Sequence, residues 1–128
     1  MKKLIVYGTL LMGESNFAHY ARGIQSIVTG TIKGRLYDTG WGYPAFVPDA
    51  NGGEIQAELF MLNDETYARI EILEGYPHLY RREEIECKIA DGKVVKAPVY
   101  IMNKLPARAR EITNYGGWRT YRHGSDYR

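Results

Sequence analysis

The chain is poor in several things that would have announced a function. It has one cysteine, Cys87, so no intrachain disulfide forms and no Cys/His cluster has metal-ligand spacing. A lone thiol points to a reducing cytoplasm. No apolar run approaches the ~20 residues of a membrane span. The opening MKKLIVY has only Leu4–Tyr7 before a glycine, too short for a signal-peptide core. No serine has the GxSxG frame, and GTLLMGES lacks the lysine of a phosphate-binding loop. Nothing repeats, and no linker divides the 128 residues, so a single domain spanning 1–128 is expected.

What is present is tyrosine and an uneven charge. Eleven tyrosines supply flat apolar faces with hydroxyls, suited to a cavity for a small polar molecule or to the edge of a β-rich core. From Lys104 onward six Lys/Arg face two acids, giving +4 there and −2 in the first 103 residues. The aromatic, basic tail 119–128 has a composition compatible with RNA. It matches no nucleic-acid module, and a solvated tail is the simpler reading.

Periodicity predicts strands over 3–7, over the glycine-broken SIVTGTIKGRLYDTG (kinked or bulged), and over GEIQAELFML, whose Ile55, Ala57, Leu59 and Met61 alternate with polar partners. GESNFAHYA reads as a short helix capped by Ser15 or Asn16. GWGYPAFVPDANGG reads as a loop. NDETYARIEILEG predicts a helix with Asn63 or Asp64 as its cap, Gly75 at its end, and Tyr67, Ile70 and Leu73 on one face. YRREEIECKIADGKVVKAPVYIM predicts two strands joined by a two-residue Asp91-Gly92 turn. Five or six strands with one or two helices indicate an α+β domain with a curved or closed sheet.

Two stretches offer chemistry. In YGTL, a glycine directly after an apolar strand permits unusual dihedrals, and the amides of residues 8–10 would form a concave cluster of donors for an oxygen. On its own, a plain strand-ending turn is the simpler reading. In ILEGYPHLYRREEI, Glu74 ends the predicted helix near Tyr76 and Tyr80. The helix dipole and apolar shielding both raise a carboxylate there toward neutrality, as a general acid or base requires. Locally, an exposed last-turn carboxylate is the simpler reading. Glu71, Glu83, Glu84 and Glu86 read as ordinary solvated charges. Cys87 would be a nucleophile only with His19, His78 or His123 beside it, and nothing places them there.

Taken in order, VYGTL, GYPAFVP, LEGYPHLYRREEI, APVYIM and the late GGW resemble the gamma-glutamylcyclotransferase-like proteins, in the branch of gamma-glutamylamine and butirosin-deprotecting cyclotransferases. The resemblance covers almost the whole chain. It implies a small, mixed, mostly antiparallel β-barrel with one or two flanking helices. It also implies release of 5-oxoproline from a gamma-glutamyl amine or amide by attack of the substrate's own alpha-amine, without metal or cofactor. By position it makes Glu74 the catalytic acid/base and Tyr7, Gly8, Thr9 and Leu10 the substrate loop. Tyr80 and Arg82 become further binding residues, with Tyr43 and Tyr115 as cavity neighbours. Where the family often has Gly-Asp-Trp, this chain has Gly116-Gly117-Trp118, and the tail beyond departs from the pattern. The partner is then a small gamma-glutamyl molecule, with no nucleic acid and no membrane. The amine leaving group and the oligomeric state stay open. A non-catalytic domain that binds a small metabolite on the same fold is the alternative.

Overall fold

The computed structural model describes residues 1–113 and 116–124. Its centre is a closed five-stranded barrel of mixed polarity. β1 (Lys2–Val6) supplies the buried Leu4, Ile5 and Val6. It lies between β4 (Gly53–Leu62), antiparallel over Lys2↔Leu62 to Val6↔Glu58, and β6 (Val94–Met102), parallel at Ile5↔Val99. β6 pairs antiparallel with β5 (Tyr80–Ile89) over Tyr80↔Met102 to Lys88↔Val94. The ring closes where β2 (Ile24–Asp38), itself antiparallel to β4, meets β5 at Gly30↔Ile89 and Thr31↔Lys88. At that seam a Cβ on residue 30 would sit 2.7 Å from the Lys88 carbonyl oxygen and 2.8 Å from Cys87 Sγ, so glycine lets the two backbones approach. The barrel, its mixed pairing and its flanking helices match the expected architecture.

β2 is one 15-residue strand; its register shift lies between Ile24 and Ser26, not at the glycines that suggested a kink, and Gly30 and Gly34 pair with β4 in regular register. Several local expectations are corrected. The 40–53 segment contains a strand, β3 (Pro44–Pro48), paired with β2 from Asp38↔Pro44 to Gly34↔Pro48. Its two prolines read as loop punctuation, yet they sit at the strand's ends on the edge of the sheet, where a missing N–H is tolerated. A two-residue β7 (Arg110–Glu111) also joins β2. The β5–β6 connection spans four residues, Ala90–Lys93, not a two-residue Asp91-Gly92 turn. Gly92 N–H donates to the Ile89 carbonyl, Ile89 N–H to the Lys93 carbonyl, and only Gly92 takes a positive φ, 91°. A type I′ turn would need positive φ at two positions. Residues 17–23 form two 3-10 turns, and Asn16 makes no side-chain cap.

The helix α1 (Asp64–Glu74) follows its sequence signals closely. Asn63 accepts a hydrogen bond from Thr66 N–H at 2.8 Å, and Gly75 closes the helix in the left-handed region at φ 63°. Tyr67 and Ile70 are buried, whereas Leu73 is 41 % exposed. β4 departs from simple alternation: Glu58, Phe60 and Leu62 are buried alongside Ala57 and Leu59. Its second half is covered on both faces, with Phe17 meeting Phe60 edge-on at 6.1 Å. The tail holds a second helix, α2 (Trp118–His123), whose Trp118 is buried in the core. No helix among the described residues is long and apolar enough to cross a membrane.

Candidate active site

The first half of the site is the chain leaving β1. Leu11 N–H donates to the Gly8 carbonyl at 3.0 Å, which turns the backbone sharply. Asn16 then pins the turn twice, through its N–H to the Thr9 carbonyl at 2.8 Å and its Nδ2 to Thr9 Oγ1 at 2.9 Å. The asparagine read as a helix cap is thus a brace for the loop. Within this turn the N–H groups of Gly8, Thr9 and Leu10 donate to no protein acceptor among the described residues. Gly8 is needed for a reason other than its dihedrals, since its φ is not positive. A Cβ there would lie 2.7 Å from Pro44 Cγ and 2.8 Å from Cδ, so its role is to let β3 pack against the loop.

The second half is the end of α1. Gly75 N–H caps the Ile72 carbonyl and Tyr76 N–H the Glu71 carbonyl, both at 3.1 Å, and this fold-back ends the helix at Glu74. Both halves face one cavity of about 310 Å³, lined by Tyr7–Leu10, Tyr43, Glu74, Tyr80 and Tyr100, with Leu73, Leu79 and Pro44 among its apolar walls. Glu74 is the single charged side chain among the described lining residues. Burial pushes its carboxyl up to about 7. The expected contribution of the helix dipole is not needed for that shift. Its charge reaches two phenols: burial, then Tyr80 and Glu74, raise Tyr7 well above the usual range, and burial, then Glu74, raise Tyr80. Tyr7 is fixed by donating to the Tyr100 carbonyl at 2.8 Å and by packing on Phe46. Tyr43 is presented by a tight loop in which Thr39 Oγ1 donates to its carbonyl at 2.7 Å.

Of the residues singled out from the sequence, Tyr7, Gly8, Thr9, Leu10, Tyr43, Glu74 and Tyr80 therefore come together. Arg82 does not line the cavity. Its guanidinium turns to Glu71, Tyr67 and Tyr76. Tyr115 lies outside the described residues. Glu71, expected to be solvated, is half-buried and ion-paired with Arg82 at 3.1 Å. Asn16, Leu79 and Tyr100 were missed as cavity residues. Tyr100 alone had a signal, since it lies in the APVYIM segment. No group of three described His, Cys, Asp or Glu side chains could hold a metal ion.

Residues 4–120 match the family described as gamma-glutamyl cyclotransferase, AIG2-like. The chain belongs to that family. It is 31 % identical over 127 residues to the gamma-L-glutamyl-butirosin B gamma-glutamyl cyclotransferase of Niallia circulans, covering 95 % of this chain and 78 % of that one. Its fold is similar to that of an AIG2-like protein from Mus musculus, with a TM-score of 0.71 at 18 % identity over 84 % of this chain and 80 % of that chain. It is also similar to YkqA from Bacillus subtilis, with a TM-score of 0.73 at 23 % identity over 99 % of this chain and 43 % of that chain. As a gamma-glutamylcyclotransferase-like chain, it has Glu74 and the loop after β1 lining one cavity.

Proposed function

We propose that this chain cleaves a gamma-glutamyl amide by cyclisation, releasing 5-oxoproline and a free amine. The observation that carries this reading is that one cavity is lined both by a lone carboxyl titrating near 7 and by three consecutive residues whose backbone N–H groups have no protein acceptor among the described residues. Proton acceptor and oxygen-binding donors are the two things the reaction needs. The substrate's alpha-amine is largely an ammonium at neutral pH and must lose a proton to become nucleophilic. Glu74 takes that proton. The amine nitrogen attacks the gamma-carbonyl carbon and a five-membered lactam closes. Glu74 then gives that proton to the departing nitrogen as the old C–N bond breaks, and the second proton, shed by the ring nitrogen as the lactam forms, leaves with the released amine as an ammonium. No water is consumed.

The nucleophile is tethered to its target, so the protein's task is to fold the glutamyl arm into a near-attack shape. The amides of Gly8, Thr9 and Leu10 hold an oxygen of the glutamyl group. Fixed donors of this kind are worth about 3 kcal/mol each when aimed at developing negative charge. The phenols of Tyr7 and Tyr80 and the walls Leu73 and Leu79 keep the carboxyl dry, and dryness is what raises its proton affinity. The test is incubation with a panel of gamma-glutamyl amines and gamma-glutamyl dipeptides, followed by detection of 5-oxoproline. The expected profile of kcat/KM rises with pH through about 7, as Glu74 ionises. Absence of 5-oxoproline across the panel overturns the reading.

A further inference from the structure

Arg82 stands outside the cavity yet holds both flanks of the residue that matters most inside it. The last turn of α1 has little apolar anchorage. Ile70 is its last buried side chain, whereas Ile72 is 80 % exposed. Something else must keep Glu74 in place. The bond from Tyr76 N–H to the Glu71 carbonyl makes a backbone bracket with Glu74 and Gly75 inside it. Arg82 reaches both ends of that bracket: Nη1 is 3.1 Å from Glu71 Oε2, and the guanidinium lies 4.1 Å from the centre of the Tyr76 ring. The same nitrogen donates to the Tyr67 hydroxyl at 3.1 Å, one helical turn before Glu71. Arg82 itself projects from β5, opposite Tyr100 of β6, so the bracket is tied to the barrel wall.

We propose that Arg82 is the positioning residue for Glu74: by clamping Glu71 and Tyr76 to the barrel it sets where the carboxyl between them sits and how deeply it is buried. The proposal rests on the reading of Glu74 as the proton acceptor. A planar guanidinium is suited to the task because it can pair with a carboxylate at its edge and stack on a ring with its face, which an ammonium cannot do together. Loosening the clamp lets the turn swing out and admits water to Glu74, so its proton affinity falls. The other titratable groups facing Glu74 are the phenols Tyr7 (after β1), Tyr43 (before β3), Tyr80 (β5) and Tyr100 (β6), with Glu71 and Arg82 as the charged neighbours behind it. Phenols ordinarily titrate near 10, so a transition near neutrality belongs to Glu74.

The experiment compares Arg82→Met, Arg82→Lys, Glu71→Gln and the Arg82→Met/Glu71→Gln double variant with the parent chain. Release of 5-oxoproline is followed as a function of pH, and the Glu74 carboxyl is titrated by 13C NMR without substrate. In Arg82→Met, kcat falls about 10- to 100-fold while KM stays within about twofold. The Glu74 midpoint moves down from about 7 toward an ordinary carboxylate. Glu71→Gln moves it the same way by less, and keeps the test open if Arg82→Met fails to fold. Arg82→Lys recovers part of the loss, and the double variant is no worse than Arg82→Met, because one clamp is broken either way. A Glu74 midpoint unmoved in Arg82→Met and Glu71→Gln overturns the proposal. So does a rise in KM with kcat preserved, which would put Arg82 on the substrate. A parent chain that releases no 5-oxoproline refutes the reading of the reaction, and the NMR titration then judges the clamp alone.

Discussion

Two carboxylates withdrawn from water on this barrel have opposite surroundings. Glu58, on β4, is 2 % exposed and fully partnered: Met12 N–H donates to Oε1 at 2.8 Å and Arg119 Nη2 to Oε2 at 3.0 Å. Glu14 adds a second acid to the group, 4.0 Å from Arg119 Nε and 3.0 Å from His123 Nε2. Glu74 has no hydrogen bond or ion pair among the described residues, and its burial goes uncompensated. The first arrangement ties α2 to the loop that follows β1. The second holds a proton whose affinity is tuned to neutral pH. A buried charge that is paired serves architecture, whereas one left alone in a cavity is a group prepared for chemistry.

The largest expected effect comes from neutralising the lonely carboxylate. Glu74→Gln should lower 5-oxoproline release by about 10²- to 10⁴-fold with an unchanged far-UV circular dichroism spectrum. Full activity in this variant would remove Glu74 from the mechanism. Next is the paired group. Arg119→Met leaves the buried Glu58 with one partner fewer, and should cost about 3 kcal/mol in urea denaturation at pH 7. A variant as stable as the parent would show that the pair carries no architectural load.

The third effect sets the two carboxylates apart by pH. Glu74 titrates at about 7 when folded and near 4.5 when free. Between those values the folded chain binds the extra proton, so stability falls as pH rises through that window. The penalty is absent below about 4.5 and complete above about 7. Glu74→Gln should therefore be more stable than the parent by about 3 kcal/mol at pH 8 and equal to it near pH 4, measured by thermal unfolding at both. A stability difference independent of pH would contradict the cause assigned to the shift. The smallest effect is a control on the surface. Glu111 pairs with Arg35 at 3.0 Å with both side chains about one-third exposed, and Glu111→Ala should cost under about 1 kcal/mol.

The elements legible in the sequence were those whose signals are local. α1 announced its cap as Asn63 or Asp64 and its stop at Gly75, because both act within one turn of helix. β1 announced itself through its compact, strand-favouring Leu, Ile, Val and Tyr, and β5 through the turn residues that join it to β6. β3 hid between prolines, since only its position at the sheet edge makes Pro44 and Pro48 harmless. α2 hid in a tail whose arginines looked solvated, and Arg119 in fact serves Glu58. In the site, seven of the named residues gather in one cavity, and Arg82 was placed by motif where the chain does not put it.

The sequence by itself determined the family, the helix that carries Glu74, and the strand end at Tyr7–Leu10 that carries the donors, because motif spacing and capping are written in consecutive residues. Only the tertiary structure decided three further things. It set the burial that lifts Glu74 to about 7, the contact with Pro44 that makes Gly8 necessary, and the turning of Arg82 toward Glu71 and Tyr76. Each depends on what lies across space from the residue, and desolvation, steric approach and pairing are properties of neighbours that the linear order leaves unstated.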